Sequence, residues 1–135
     1  MNYWLLKSDP EDYSFENLIK DGFAVWDGVT NNLALQNLRK IKKGDLILIY
    51  HTGDEKSLAG LAIAASHPYP DPKADNEKLA VIDLKPKKRA KRRVTLADIK
   101  AMPEFAEFQL ARLPRLSVMP VSEVEYKRLV ELAGL

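Results

Sequence analysis

The sequence predicts a mixed α+β domain of about five or six strands with small helices packed around them. Short runs of aliphatic and aromatic residues, of which LILIYH at 46–51 is the clearest, are typical of buried strands. Between them lie segments with helix-capping signals, such as Ser122 followed three residues later by Glu125. A chain of 135 residues that is 46% hydrophobic fits one compact domain with a single core. We therefore expect residues 1–135 to form one domain without internal repeats or linkers.

The first 31 residues predict a strand, a short helix and an irregular segment. Aromatic and aliphatic residues dominate 2–7, which favours a strand. Ser14 can cap a helix that Gly22 ends in the left-handed conformation. Residues 24–31 are expected to be irregular, because Asp27-Gly28 is a turn signal.

The middle of the chain predicts one helix followed by two strands. Apolar residues recur at approximately helical spacing over 32–43, and Asn31 can cap that helix. A glycine-aspartate turn then leads into the strand at 46–51. The next strand covers 58–66, where Gly60 indicates a bulge or a close approach of two backbones.

The last part of the chain predicts a loop, two further strands and two helices. Residues 67–76 open with three prolines in six residues and are expected to form a loop. A strand at 79–84 runs directly into a basic stretch, and Thr95 with Asp98 starts a helix to about residue 102. Residues 116–121 form a strand or an extended segment broken by a proline, and a helix from Ser122 ends at a glycine.

Positive charge is concentrated in one segment. The chain has 21 basic and 19 acidic residues, a net charge of +2. Seven of the basic residues lie in KPKKRAKRR, 85–93, so the remainder carries 14 basic against 19 acidic groups, a net of −5. The run consists of Lys85, Lys87, Lys88, Arg89, Lys91, Arg92 and Arg93. Such a local patch fits contact with phosphate, a solvated edge strand, or a nuclear-localisation signal.

The composition excludes several classes of protein. Without cysteine there is no disulfide, no thiolate metal site and no cysteine nucleophile. We find no apolar run long enough to span a membrane and no leader, so we expect a cytoplasmic protein, or a nuclear one in a eukaryote. The glycines form no phosphate-binding loop, and no hydrolase or zinc motif is present. We expect no cofactor and assign no catalytic residue, although a Ser8/His51 pair with a carboxylate remains open.

Polar and aromatic residues at the ends of predicted strands are the candidate ligand contacts. The first strand ends in Lys7-Ser8-Asp9-Pro10, and the strand at 46–51 ends in Tyr50-His51-Thr52. Trp26, in the predicted irregular segment, is either a stacking platform for a planar ligand or a core anchor. Tyr50 is equally core or wall, and His51 is more often structural than a ligand contact. Arg115 could clamp a phosphate or make a surface ion pair.

Six ordered motifs together resemble the EVE domain family. YWLLKSDP, 3–10, is similar to the family's opening YWL-x-K-S-E-P, and WDGVTN, 26–31, matches W-D-G-V-R-N at five of six positions. GDLILIYHT, 44–52, resembles its G-D-x-x-x-x-Y-H-S strand. The remaining motifs, in the family's order, are YPDP at 69–72, VTLADIKA at 94–101 and RLSVMPVS at 115–122.

The resemblance implies a PUA-like fold, a curved and partly closed β-barrel with peripheral helices. It further implies a module that binds DNA or RNA by reading a modified base, flipped into an aromatic-walled pocket. The expected base is methylated or hydroxymethylated cytosine or methyladenine, and we expect the protein to be a monomer. On this reading Trp26 and Tyr50 are pocket walls. The implied hydrogen-bonding groups are Ser8, Asn31, His51 and Thr52, and the implied rim near phosphate is Lys7, Arg115 and Ser117.

Two alternatives and three departures accompany this resemblance. The alternatives are a small ASCH-like hydrolase of a modified nucleoside, using Lys7, Ser8 and His51, and a general RNA-binding domain. The departures are Thr30 for the family's arginine, Asp9 for its glutamate and Thr52 for its serine. The first matters most, because it removes a fixed, planar cation.

Overall fold

A computed structural model describes all 135 residues of the chain. The strands, in chain order, are β1 Tyr3–Ser8, β2 Ala24–Trp26, β3 Leu46–His51, β4 Ser57–Ala64, β5 Tyr69–Pro70, β6 Ala80–Arg89 and β7 Val118–Val121. The helices are α1 Phe15–Asp21, α2 Asn32–Lys40, α3 Leu96–Lys100, α4 Gln109–Arg112 and α5 Glu123–Ala133, with a single 3₁₀ turn at Pro103–Phe105.

The strands form one curled sheet that closes only partly. Its order is β2-β6-β4-β3-β1-β7, with β5 paired to β6. The β1–β3 pair is parallel and all other pairs are antiparallel. Helix α2 contacts both β6 and β7 and so packs across the open side of the sheet. The predicted α+β class and the curved, partly closed PUA-like barrel are confirmed.

The helix caps that the sequence predicts are present. Ser14, Thr95 and Ser122 each accept a hydrogen bond from the backbone N–H three residues on, and each helix has the reciprocal bond of a capping box. Gly22 and Gly134 end α1 and α5 in the left-handed conformation. Helix α2 is shorter than predicted, since the chain is already extended at Ile41.

Three parts of the sheet differ from the sequence prediction. The segment 24–31 begins with strand β2, which pairs Trp26 with Ile82 of β6, and the predicted loop at 67–76 contains β5. Both strands are too short to show a sequence period. Strand β6 extends to Arg89, well beyond 84, because it pairs with β4 along the basic run.

Gly60 lies where β4 meets β6 and α1. A Cβ atom there would lie 2.4 Å from Cζ of Phe15 and 2.8 Å from the carbonyl oxygen of Lys88. The predicted close backbone approach is therefore confirmed, and the β3–β4 register shifts beside it, between Ile49 and Tyr50.

Candidate functional site

A cavity of about 490 Å³ opens where β1 ends and β2 lies across the gap from it. Its lining residues come from the end of β1, the turn after it, strand β2, the segment that follows β2, and the residue before β7. They are Lys7, Ser8, Asp9, Asp12, Tyr13, Ala24, Val25, Trp26, Asp27, Gly28, Val29 and Ser117.

The end of β1 forms a fixed floor for this cavity. The Lys7 backbone N–H donates to the Ser117 carbonyl at 2.9 Å, and the Thr52 N–H donates to the Ser8 carbonyl at 2.9 Å. Lys7 and Ser8 are thus held by neighbouring chain on both sides. This explains why an apolar strand ends in polar residues, because its last two residues face a cavity.

Two aromatic side chains form one wall. Half-buried Trp26 and Tyr13 meet edge to face, with ring centroids 6.2 Å apart and planes at 78°. The Tyr13 hydroxyl donates to Oδ2 of Asp21 at 2.8 Å. Partial burial and that carboxylate raise the pKa of Tyr13 to about 12, so its ring remains neutral. Sequence reasoning missed Tyr13, which joins the site only because the turn after β1 brings it to Trp26.

Lys7 provides the cavity's cation. Its Nζ donates to the Pro114 carbonyl at 2.8 Å and lies 5.9 Å from the ring centroid of Tyr50. Burial lowers the pKa of Lys7 and raises that of the Tyr50 hydroxyl. Tyr50 is only 3% exposed and does not line the cavity, so the structure favours its core alternative over the wall.

Three carboxylates also line the cavity, those of Asp9, Asp12 and Asp27. Asp9 belongs to the polar strand end that the sequence indicated, whereas sequence reasoning did not select Asp12 or Asp27. Asp9 accepts a hydrogen bond from the Glu11 N–H at 2.9 Å. Asp12 and Asp27 are exposed, and their carboxylates have no hydrogen-bond or ion-pair partner within the protein. The cavity therefore offers hydrogen-bond acceptors toward a ligand that carries N–H donors.

His51 and Thr52 lie behind the floor and not in the cavity. His51 Nε2 accepts the Phe15 backbone N–H at 3.0 Å, which requires the proton on Nδ1, 3.1 Å from Oε1 of Glu55. The Thr52 hydroxyl donates to the Ser8 carbonyl at 3.4 Å. The structure does not bring these two side chains to the other predicted pocket residues, because the start of α1 and the end of β1 engage them.

The Ser8/His51 pair is not arranged as a nucleophile and its base. The two residues are register partners in the parallel β1–β3 pair. However, the Ser8 hydroxyl donates to the Tyr13 carbonyl, while His51 accepts from Phe15. Neither side chain reaches the other, which a Ser–His mechanism requires.

Asn31 and Arg115 lie together in a second depression that adjoins the cavity. It measures about 320 Å³ and is lined by Asn31, Leu33, Leu113, Pro114, Arg115 and Leu116. The Asn31 side chain accepts the Ala34 N–H at 3.1 Å as the cap of α2. Exposed Arg115 makes no ion pair in the protein, so the surface ion-pair alternative does not hold within this chain.

The basic run lies along the outer part of β6 and the turn after it. Its three arginines are engaged within the protein: Arg89 binds both carboxylate oxygens of Glu16, Arg92 donates to the carbonyls of Glu131 and Leu132, and Arg93 to that of Glu55. Its four lysines, Lys85, Lys87, Lys88 and Lys91, have no side-chain partner in the protein. Contact between this run and phosphate stays a prediction.

The chain contains no cluster of three or more histidine, aspartate or glutamate side chains arranged to hold a metal. None of its helices has the length and apolar character needed to cross a membrane.

A curled half-barrel with a tryptophan-walled cavity at its strand ends places this chain among the small PUA-like domains. Residues 2–132 match the model of the EVE domain, and the chain belongs to that family.

Relatives from bacteria and humans share this structure over the full chain. A crystal structure of an Agrobacterium tumefaciens protein is 33% identical, with a TM-score of 0.96 over 100% of this chain and 94% of that one. Human thymocyte nuclear protein 1 is 27% identical over 97% of this chain and 73% of its own length. Its structure in complex with DNA containing 5-methylcytosine has a TM-score of 0.90 and covers 100% of this chain and 99% of that one.

A further solved structure shares only the fold. An ASCH protein from Zymomonas mobilis is 17% identical over 98% of this chain and 99% of that one, with a TM-score of 0.60.

Proposed function

We propose that this protein is a non-catalytic reader of modified bases in nucleic acid, with 5-methylcytosine in DNA as its first candidate ligand. The observation that carries this proposal is the human relative's complex with DNA containing 5-methylcytosine, since that structure matches the whole of this chain. The cavity supplies the matching chemistry. It combines an aromatic wall, one cation and unpartnered acceptors close to strand ends.

Each part of the cavity has a role in this reading. Trp26 stacks against the face of the base, and Tyr13 supports the indole from its edge. Lys7 and the carboxylates face the base's polar edge. A base in a duplex must be flipped out to enter, at a cost of about a few kcal/mol that stacking and hydrogen bonds must offset. Single strands avoid that cost, so we expect them to bind at least as tightly as duplexes.

Replacement of Trp26 by alanine tests the stacking role. We expect Trp26→Ala to weaken binding of a 5-methylcytosine oligonucleotide by roughly five- to 150-fold, because stacking on such a ring is worth about 1–3 kcal/mol. Fluorescence anisotropy with matched methylated and unmethylated strands measures the loss. Trp26→Phe is the control, since it keeps an aromatic face and should retain most of the affinity.

An unchanged affinity in Trp26→Ala would contradict the proposal, provided that thermal unfolding shows the variant is folded. Equal binding of methylated, hydroxymethylated and unmodified strands by the natural chain, falling steeply with salt, would indicate general nucleic-acid binding instead.

The hydrolase alternative has no site observation in its favour. The side chains of Ser8, His51 and Lys7 are all bound to backbone groups, and the likeness to an ASCH protein extends to the fold alone. RNA binding, a monomeric state and a cytoplasmic location remain predictions.

A further inference from the structure

The second depression, which contains Asn31 and Arg115 and is called the groove below, is contiguous with the cavity. Leu116 lines the groove and Ser117, the next residue, lines the cavity. Pro114 also lines the groove, and its carbonyl accepts the hydrogen bond from Lys7 Nζ at 2.8 Å. The two depressions therefore share a wall, and a ligand in the cavity can continue into the groove.

Two exposed leucines flank this groove. Leu33 on α2 is 45% exposed and Leu113 after α4 is 42% exposed, although both are large and aliphatic. Single exposed leucines are ordinary, but these two come from different elements and line the same groove. They offer apolar contact to the face of a flat or ring-shaped group.

The charges around the two depressions select an anionic occupant for the groove. Arg115 is exposed and has no partner in the protein, and α2 begins at Asn31 with the positive end of its dipole on this side. Through Asp9, the cavity also adjoins an acidic surface made of Asp9, Glu11, Asp12, Asp54 and Glu55. A phosphate is repelled from that surface and attracted to the groove.

The arginines of the basic run are poorly placed to substitute for Arg115. Arg89 is seven residues along β6 from Ile82, the partner of Trp26, which corresponds to about 23 Å of strand. Its arginines are also occupied within the protein.

We infer that the groove binds the nucleotide next to the one held in the cavity. Arg115 binds the phosphate that joins the two nucleotides, and Leu33 and Leu113 pack against the sugar and base of the neighbour. This inference rests on the proposed function, because it requires a nucleotide in the cavity. It adds that recognition extends beyond one base and that the strand follows the groove.

A ligand-length series tests this inference. The full chain is titrated, in competition with a labelled strand, with 5-methyldeoxycytidine monophosphate and with a single-stranded trinucleotide carrying 5-methylcytosine at its centre. For the natural chain we expect the trinucleotide to bind at least tenfold more tightly. Arg115→Gln and Leu113→Ser should each lose most of that gain, and Arg115→Gln should also lower the salt dependence by about 0.7 in log–log slope.

Matched control variants remove a positive charge or an aliphatic side chain outside the groove, and so test whether the position of the change matters. The Lys87→Gln and Lys88→Gln variants each remove one charge from the basic run, and Val124→Ser removes an aliphatic group that is 78% exposed on α5. All three should retain the gain. Because the groove residues tested are exposed, their variants should have the same thermal unfolding midpoint as the natural chain. A thermal scan of each variant verifies this.

The results of this experiment test the groove separately from the proposed function of the cavity. A trinucleotide that binds no tighter than the mononucleotide, or a gain that the groove variants retain, overturns the inference. A gain lost equally in the basic-run controls also overturns it. If methylated and unmethylated mononucleotides bind alike while the groove variants still lose the gain, the groove stands and the proposed function fails.

Discussion

Trp26 and Asp27 are neighbours in sequence that give the cavity two different kinds of contact. The backbone of Trp26 pairs with that of Ile82 and its ring contacts Tyr13, and the carboxylate of Asp27 lines the cavity without a protein partner. A carboxylate accepts hydrogen bonds and cannot donate them when ionised. Cytosine presents an amino group at the position where thymine presents a carbonyl oxygen. Asp27 is therefore suited to distinguish 5-methylcytosine from thymine, which carries the same methyl group.

We predict that Asp27→Asn reduces this discrimination. The natural chain should bind a strand with 5-methylcytosine roughly tenfold or more tightly than the same strand with thymine, because a good base-edge contact is worth about 1–3 kcal/mol. The asparagine side chain can donate to the thymine carbonyl, so the ratio should approach one. Anisotropy on the two matched strands measures it.

Asp12→Asn is the matched control, since Asp12 lines the same cavity and is equally unpartnered. A ratio that falls in Asp12→Asn and is unchanged in Asp27→Asn would assign the contact to the other carboxylate and contradict this prediction.

Individual residues also show where sequence reasoning reaches its limit. A strand ending in Lys7 and Ser8 indicates a site, and the structure places both in the cavity. His51 has the same kind of sequence context, yet its Nε2 is taken by the Phe15 N–H, 36 positions away in the chain. Such a long-range partner leaves no local signal. Tyr13 was missed for the same reason, because only the folded turn brings it to Trp26.

At the scale of elements, the packing of α1 against the sheet depends on one residue without a side chain. Phe15 at the start of α1 lies against Gly60 of β4, and the backbone carbonyl of Lys88 in β6 is also close to the position that a side chain of residue 60 would occupy. Phe15 is also the residue whose N–H binds His51. The position of α1, and with it the turn that carries Tyr13, is therefore tied to Gly60.

We predict that Gly60→Ala lowers the free energy of unfolding by about 1–3 kcal/mol, as expected for overpacking. A methyl group there would lie 2.5 Å or less from two Phe15 ring atoms and 2.8 Å from a Lys88 carbonyl that paired strands hold in place. Urea unfolding measures the change.

The double variant Gly60→Ala, Phe15→Leu separates the two contacts. A smaller cost of the alanine in the Phe15→Leu background would identify the ring as the main clash. A cost below about 0.5 kcal/mol in the natural background would contradict the close packing described here.

The elements that sequence patterns predicted well are those with local signals. The capping boxes at Ser14, Thr95 and Ser122 are of this kind, as is the strand at 46–51. Strand β2 has only three residues, and its pairing with β6 is set by tertiary structure, so no period marks it. Because β2 carries Trp26, that missed strand is also what fixes the main wall of the cavity.

At the scale of the whole molecule, charge is distributed differently from what the sequence alone suggests. The basic run is the most prominent feature of the sequence, but its three arginines bind Glu16, the end of α5 and the Glu55 carbonyl. The charged side chains in and next to the cavity are instead mostly acidic, and the cations among them are Lys7 in the cavity and Arg115 in the groove. Spatial arrangement, which composition does not record, decides where a polyanion can approach.

Tyrosine ionisation should make the molecule less stable at alkaline pH. The pKa values of Tyr13 and Tyr69 are raised to about 12, by partial burial with Asp21 and by the hydrogen bond to Asp83 respectively. Burial also raises those of Tyr50 and Tyr126. Because the folded chain retains these protons above the ordinary pKa of 10.0, the stabilisation is complete below pH 10 and is lost as pH rises toward 12.

Urea unfolding at pH 9, 10 and 11 should therefore give a falling free energy, with a smaller decrease in Tyr69→Phe. Lys7 acts in the opposite direction, since burial lowers its pKa, but it is one group against four. A free energy that is constant or rises over this range would contradict the assignment.

The parts of the cavity differ in conformational freedom, and this difference determines which of them loses most entropy when a ligand binds. Its floor, the end of β1, is bonded on both sides to Ser117 and Thr52 and has little conformational freedom to lose. Its main wall is the opposite case, because β2 is three residues long and pairs with β6 alone at the margin of the sheet. Most of the entropy lost on capturing a ring should therefore come from β2. A close-fitting ligand should therefore stabilise β2 against local opening. Amide hydrogen exchange should slow in β2 on binding and change little at the end of β1, which is already protected.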